Sequence, residues 1–181
     1  MLPRSRVSSR GTGFLEALFL TEPRPLYTPE ERRRRDETPW TFVQGILAPI
    51  QFLVFIASTI LVIRYLLSGE GETVATASVV VKTMLLYLIM VTGCIWEKVV
   101  FGKYLFAKAF FWEDVFSMLV LALHTAYLIG LIGGHASVRT LMWTALAAYL
   151  AYVINATQFL LKLRAARLQQ ERAELAQGVA A

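Results

Sequence analysis

The chain has 181 residues, 56% of them hydrophobic and only 17% charged, with a mean hydropathy of +0.54. That balance excludes an ordinary soluble domain and points to a single membrane domain. The net charge of +5 is distributed as a membrane protein distributes it and gives no sign of nucleic-acid binding. The single cysteine, Cys94, excludes an internal disulfide and reads as a small apolar packing residue.

Residues 1–25 read as a flexible arm. The apolar patch from Phe14 to Leu20 is short, contains Glu16 and runs into prolines, so it does not match a cleavable signal. Thr28-Pro29-Glu30-Glu31 predicts a capping box, with Thr28 as N-cap, Pro29 at N1 and Glu31 at N3. The helix it opens, within 26–38, carries Arg32 to Arg35 and suits an anionic membrane surface, where each arginine contributes about 1 kcal/mol. Thr38-Pro39 repeats the signal and opens the next helix.

Four apolar runs follow, from Phe42 to Leu67, Val74 to Ile95, Val115 to Ile132 and Leu141 to Leu161. Each is near the ~20 residues that carry an α-helix across a bilayer. The expected fold is an all-α integral membrane protein with four transmembrane helices within 39–167, and a tail over 168–181. Arginines precede the first run, Lys98, Lys103 and Lys108 lie in the second connection, and Lys162, Arg164, Arg167 and Arg172 follow the fourth. The other connections hold Glu70, Glu72 and Arg139. The positive-inside rule then places both the N and C termini in the cytoplasm.

Polar side chains inside such runs are costly and tend to mark function. Helical periodicity puts Gln44, Ala48, Gln51 and Ser58 on one stripe, with Pro49 expected to bend the helix beside Gln51. Lys82, Leu86 and Gly93 share a face that ends near Glu97. Asp114, Ser117, Leu121 and His124 form a third stripe, and Thr144, Ala148, Ala151, Asn155, Gln158 and Lys162 a fourth. Register would let these faces meet in one inward-open cavity, with Glu97, Glu113 and Asp114 at its mouth and His124 at its bottom. The segment from Trp96 to Asp114 is unusually aromatic; it reads as interfacial, its rings among headgroups and its lysines reaching water. Trp96 and Trp112 would also offer a flat hydrophobic ligand a stacking surface.

Ordinary structural readings stand beside each of these. Glu97 followed by Lys98 suits an interfacial pair, and Glu113-Asp114 suits the positive end of a helix. His124 suits a bond to a neighbouring helix, and Asn155 and Gln51 suit interhelical hydrogen bonds. Lys82 is expected to snorkel toward the outer face. His135 lies in a Gly-rich turn and reads as loop. The spacing of Leu161, Leu168 and Leu175 suggests that the last helix continues into a modest interaction surface.

The strings LYTPEERRRRDETPWTFVQGILAPIQFLVF, VVVKTMLLYLIMVTGCIWEKVVFGKYLFAKAFFWEDVFSMLVLALHTAYL and AAYLAYVINATQFLLKLR resemble the 3-vinyl bacteriochlorophyllide hydratase family, over about Leu26 to Arg167. The resemblance implies a lyase of bacteriochlorophyll biosynthesis in the inner (cytoplasmic or intracytoplasmic) membrane of a phototrophic bacterium. Such an enzyme adds water to the C3 vinyl group and leaves a 3-(1-hydroxyethyl) pigment. It implies a chlorin or bacteriochlorin substrate; hydration itself needs no redox cofactor or protein-held metal, Mg²⁺ belonging to the pigment. Other pigment-biosynthesis enzymes are possible partners.

Hydration in the Markovnikov sense needs an acid for the terminal vinyl carbon and a positioned water for the resulting cation. A carboxyl group in an apolar site can serve as that acid. By this chemistry, not by the resemblance, His124, Glu97, Glu113 and Asp114 are the catalytic candidates. Asp114 stands ahead of Glu113 because it shares the His124 face. His124 suits ligation of the pigment's Mg²⁺, orientation of water or uptake of its proton. Lys82, Gln51, Asn155, Trp96 and Trp112 are the substrate-binding candidates, Lys82 through a cavity carboxylate or the pigment's propionate. The alternative is a non-catalytic four-helix protein that binds or delivers a tetrapyrrole, or assists photosynthetic assembly. A transporter is disfavoured by the absence of an obvious inverted repeat.

Overall fold

The computed structural model describes residues 25–134 and 136–179, so the expectations for the arm before residue 25 and for His135 lie outside the described residues. Helix α1 spans Pro29–Glu37, α2 Pro39–Ser68, α3 Glu72–Phe101, α4 Phe111–Gly133 and α5 Val138–Val179. The capping box forms at α1. Thr28 Oγ1 accepts from the Glu31 N–H at 3.2 Å, and Glu31 Oε2 accepts from the Thr28 N–H at 2.8 Å. Thr38 then caps α2 through the Trp40 N–H at 3.4 Å, and Pro39 occupies a position where no N–H is needed.

Helices α2 to α4, and α5 over Val138–Arg172, are long and apolar enough to cross a membrane. Each helix outruns the apolar run that predicted it, because hydropathy reports the apolar middle and not where backbone hydrogen bonding ends. α5 in particular is unbroken past residue 167, and Leu161, Leu168 and Leu175 lie exposed along it. Pro49 sits inside α2 without ending it. Its missing N–H leaves the Gly45 carbonyl without the usual helical donor.

Short connections make the helices antiparallel neighbours. α2 packs along α3, and α4 along α5, so the bundle is two hairpins that meet along a sparser seam. Ala145, Ala148 and Ala151 on α5 are buried and let the helices approach closely. Outward positions such as Leu53, Ile60, Val91, Ile129 and Leu150 are exposed and apolar, as lipid requires.

The two ends differ. At the end holding residues 69–71, 134 and 136–137, Val62, Val79, Tyr127 and Met142 form an apolar plug. At the basic end, Tyr27, Val100 and Phe110 are buried together and flanked by Trp96, Phe101 and Phe159. This changes the reading of the aromatic segment. Its inner rings, Trp96, Phe101 and Phe110, seal the bundle against Tyr27, and Trp96 Nε1 donates to Thr41 Oγ1 at 2.9 Å. Tyr104, Phe106, Phe111 and Trp112 are the rings left exposed.

Candidate functional site

Side-chain pairs fix which residues share a level. Ser58 Oγ lies 2.8 Å from Ser78 Oγ and 2.5 Å from the Tyr149 hydroxyl, tying α2, α3 and α5 together. Asn155 Nδ2 donates to Ser117 Oγ at 2.8 Å, tying α5 to α4 nearer the basic end. The antiparallel register that places Ser58 beside Tyr149 brings Gln51 to the level of Asn155. Gln44 Nε2 donates to Thr92 Oγ1 at 2.8 Å closer still to that end. Ala48 departs from the predicted stripe and is exposed.

The carboxylates gather at the basic end. Glu97, Glu113 and Asp114 are all buried. Glu97 Oε1 accepts from the Ala107 N–H at 2.6 Å and Asp114 Oδ2 from the Phe106 N–H at 2.7 Å, which pins the 102–110 connection across the bundle. That connection starts at Gly102 (φ +79°) and contains Phe106 at φ +59°, a left-handed backbone that few side chains adopt. The Glu97 and Asp114 carboxyl groups, held by neighbouring N–H groups of one segment, lie close enough to interact. Glu113 is paired differently: Lys162 Nζ lies 2.5 Å from its Oε2 and donates to the Ala109 carbonyl. Of the three, Glu113 is committed to an ion pair, whereas Glu97 and Asp114 form a carboxyl pair.

The middle of the bundle holds the second cluster. His124 is fully buried; its Nδ1–H donates to the Val120 carbonyl at 2.8 Å, which fixes the tautomer and leaves the Nε2 lone pair without a partner. Its ring stands 5.8 Å from that of Tyr149. Lys82 does not snorkel: it is 0% exposed, and Nζ sits 3.8 Å from the Tyr152 ring centroid. α3 turns this residue toward the seam, so its stem leads to the interior and not to a lipid face. Gln51 is buried with neither amide atom bonded, and Asn155 Oδ1 and Gln158 Oε1 are likewise unpartnered. The expected interhelical bond is therefore made by Asn155 and not by Gln51.

The single open cavity expected from register is absent among the described residues. Leu86, Val120 and Ala151 close the bundle between the two clusters. Two clefts lie elsewhere: one of about 240 Å³ beside Tyr65, Gly69 and Arg139, and one of about 130 Å³ beside Leu26, Lys162 and Gln169. Both are peripheral to the buried polar groups. What stands in place of a cavity is a polar seam between the hairpins. Gln51 and Lys82 come from the first hairpin and His124, Ser117, Asn155 and Gln158 from the second, with Glu97 and Asp114 at the basic end. Trp96 belongs to the seal at that end, and Trp112 is 65% exposed on its outside. Tyr149 and Tyr152 were not singled out from sequence. Their signal was present, since Tyr152 lies one turn from Asn155 on the same face.

Buried polar atoms without partners cost about 1–3 kcal/mol each, and native structures keep few of them. Four helices long and apolar enough to cross a membrane, with several such atoms on their facing sides, define a multi-pass membrane protein with a polar interior seam. The model of the 2-vinyl bacteriochlorophyllide hydratase (BCHF) family matches residues 27–165, and the chain belongs to that family. The chain is 67% identical over 144 residues to the 2-vinyl bacteriochlorophyllide hydratase of Rhodobacter capsulatus, covering 80% of this chain and 84% of the relative. It is 66% identical over 151 residues to the protein of the same name from Cereibacter sphaeroides, covering 83% and 94%. The locants 2 and 3 number the same vinyl substituent. No solved structure matches.

Proposed function

We propose that the protein hydrates the vinyl group of a bacteriochlorophyllide in the seam between its hairpins, as a hydro-lyase of bacteriochlorophyll biosynthesis. The observation that supports this site is the row of buried, unpartnered polar atoms on Gln51, His124, Asn155 and Gln158, ending at the Glu97–Asp114 pair. Two carboxyl groups in contact share a proton more readily than both ionise, so the pair is an acid and its own conjugate base. The pair gives a proton to the terminal vinyl carbon. The cation forms on the inner carbon, where the macrocycle delocalises it. Water held by Ser117, Asn155 and Gln51 bonds to that carbon, and its proton returns to the pair.

The spacing suits one flat pigment. Ser117 stands one turn, about 4.5 Å of rise, from Asp114, and His124 about 15 Å from it, a span comparable with a chlorin macrocycle and its substituents. His124 Nε2 is the ligand for the pigment's Mg²⁺, which puts the vinyl group toward Ser117 and Asn155. The pigment enters from the lipid between the hairpins, where packing is sparsest. The basic end faces the cytoplasm, with both termini, in a bacterial cytoplasmic or intracytoplasmic membrane.

The test is turnover of the vinyl pigment by purified protein in H₂¹⁸O. Gain of one labelled water, with the blue shift that follows loss of vinyl conjugation, supports the reading. Pigment binding without any mass change refutes it and leaves a carrier.

A further inference from the structure

We propose that Lys82 is a carboxylate-binding subsite that recognises the free propionate of the pigment, so that the seam selects the acid over its ester. The inference rests on the hydratase reading and assigns a buried group which that reading leaves unused.

Lys82 has no exposed surface, and its Nζ makes no hydrogen bond. The Tyr152 ring, 3.8 Å away, attracts a cation but offers no acceptor to three N–H donors. The rings around it form one wall: Phe55 lies 5.0 Å from Tyr152 and 5.5 Å from Tyr149, and Tyr149 faces His124. No acid of the described residues stands at this level. Along α3, Glu72 is about 15 Å of rise away and Glu97 about 22 Å. Glu113 is held by Lys162, and Asp114 by the Phe106 N–H and Glu97. A buried ammonium without a counter-ion is among the most unfavourable groups a protein can keep. An anion arriving with the ligand would hold the charge there.

The chemistry of that ligand follows from the surroundings. A flat apolar body fits against Phe55, Tyr149 and Tyr152, and its carboxylate accepts from Nζ. A chlorophyllide-type pigment is by definition the free acid, with one propionate on a ring other than the one bearing the vinyl group. His124 and Lys82 stand on the same aromatic wall, the first 5.8 Å from the Tyr149 ring and the second 3.8 Å from the Tyr152 ring, so one pigment can reach both.

The experiment compares the vinyl bacteriochlorophyllide with the methyl ester of its propionate, using the full chain in lipid nanodiscs. Binding and turnover are measured separately for wild type, Lys82→Met, Lys82→Gln and Lys82→Arg. Wild type is expected to bind the acid at least tenfold more tightly than the ester. Lys82→Met and Lys82→Gln should bind both pigments alike, at the affinity of wild type for the ester, and Lys82→Arg should keep most of the preference. Equal binding of acid and ester by wild type overturns the proposal, as does a folded neutral variant that still prefers the acid. Wild type that hydrates neither pigment refutes the hydratase reading instead, and the binding comparison still decides the role of Lys82.

Discussion

Replacing Asp114 with Asn separates chemistry from architecture. The amide oxygen of Asn can still accept from the Phe106 N–H, now at 2.7 Å from Oδ2, so the 102–110 connection stays pinned. What is lost is the carboxyl pair with Glu97, to which the proposal gives the proton transfer. General acid catalysis contributes typically 10²–10⁴-fold, which is about 2.7–5.4 kcal/mol in the barrier. Turnover should fall by that factor while pigment affinity changes by less than about threefold. Glu97→Gln, which keeps an acceptor for the Ala107 N–H at 2.6 Å, should do the same. Because the two act as one unit, the double variant should lose little more than either single variant. The assay is single-turnover hydration beside pigment binding by fluorescence quenching. Turnover in both single variants within threefold of wild type would refute the assignment of the pair as the acid.

Other expected outcomes concern different parts of the molecule. His124→Leu should weaken binding of the Mg pigment by at least about tenfold, or 1.4 kcal/mol, and leave a metal-free analogue unaffected; equal loss for both would contradict ligation. Ser58→Ala strands the buried Tyr149 hydroxyl and should cost about 1–3 kcal/mol, most of it recovered when Tyr149→Phe is added, as thermal unfolding in detergent will show. Trp96→Ala opens the aromatic seal and should cost about 3 kcal/mol, whereas Trp112→Ala, on the exposed side, should stay within about 0.5 kcal/mol.

The sequence carried local structure further than it carried the site. Thr28 with Glu31 and Thr38 with Pro39 mark helix starts through chemistry that acts within four residues, and both form as read. Polar stripes named most of the seam for the same reason, since helical period alone decides which residues share a face. Depth and neighbours were not legible. Position along the helix alone predicts that Lys82 snorkels, but the rotation of α3 in the bundle aims it at Tyr152. The aromatic rings of 96–114 look interfacial by composition, yet Tyr27, far from them in the chain, draws Trp96, Phe101 and Phe110 inward. The open cavity failed because periodicity says nothing about what fills a face, and Leu86, Val120 and Ala151 fill this one.

The most direct measurement is an experimental structure of the Asp114→Asn protein with vinyl bacteriochlorophyllide bound. The account predicts the macrocycle between the hairpins, its Mg²⁺ within bonding distance of His124 Nε2 and its vinyl group toward Ser117, Asn155 and Glu97. A pigment lying outside on Phe111 and Trp112, with the seam still closed on Gln51 and His124, would contradict it.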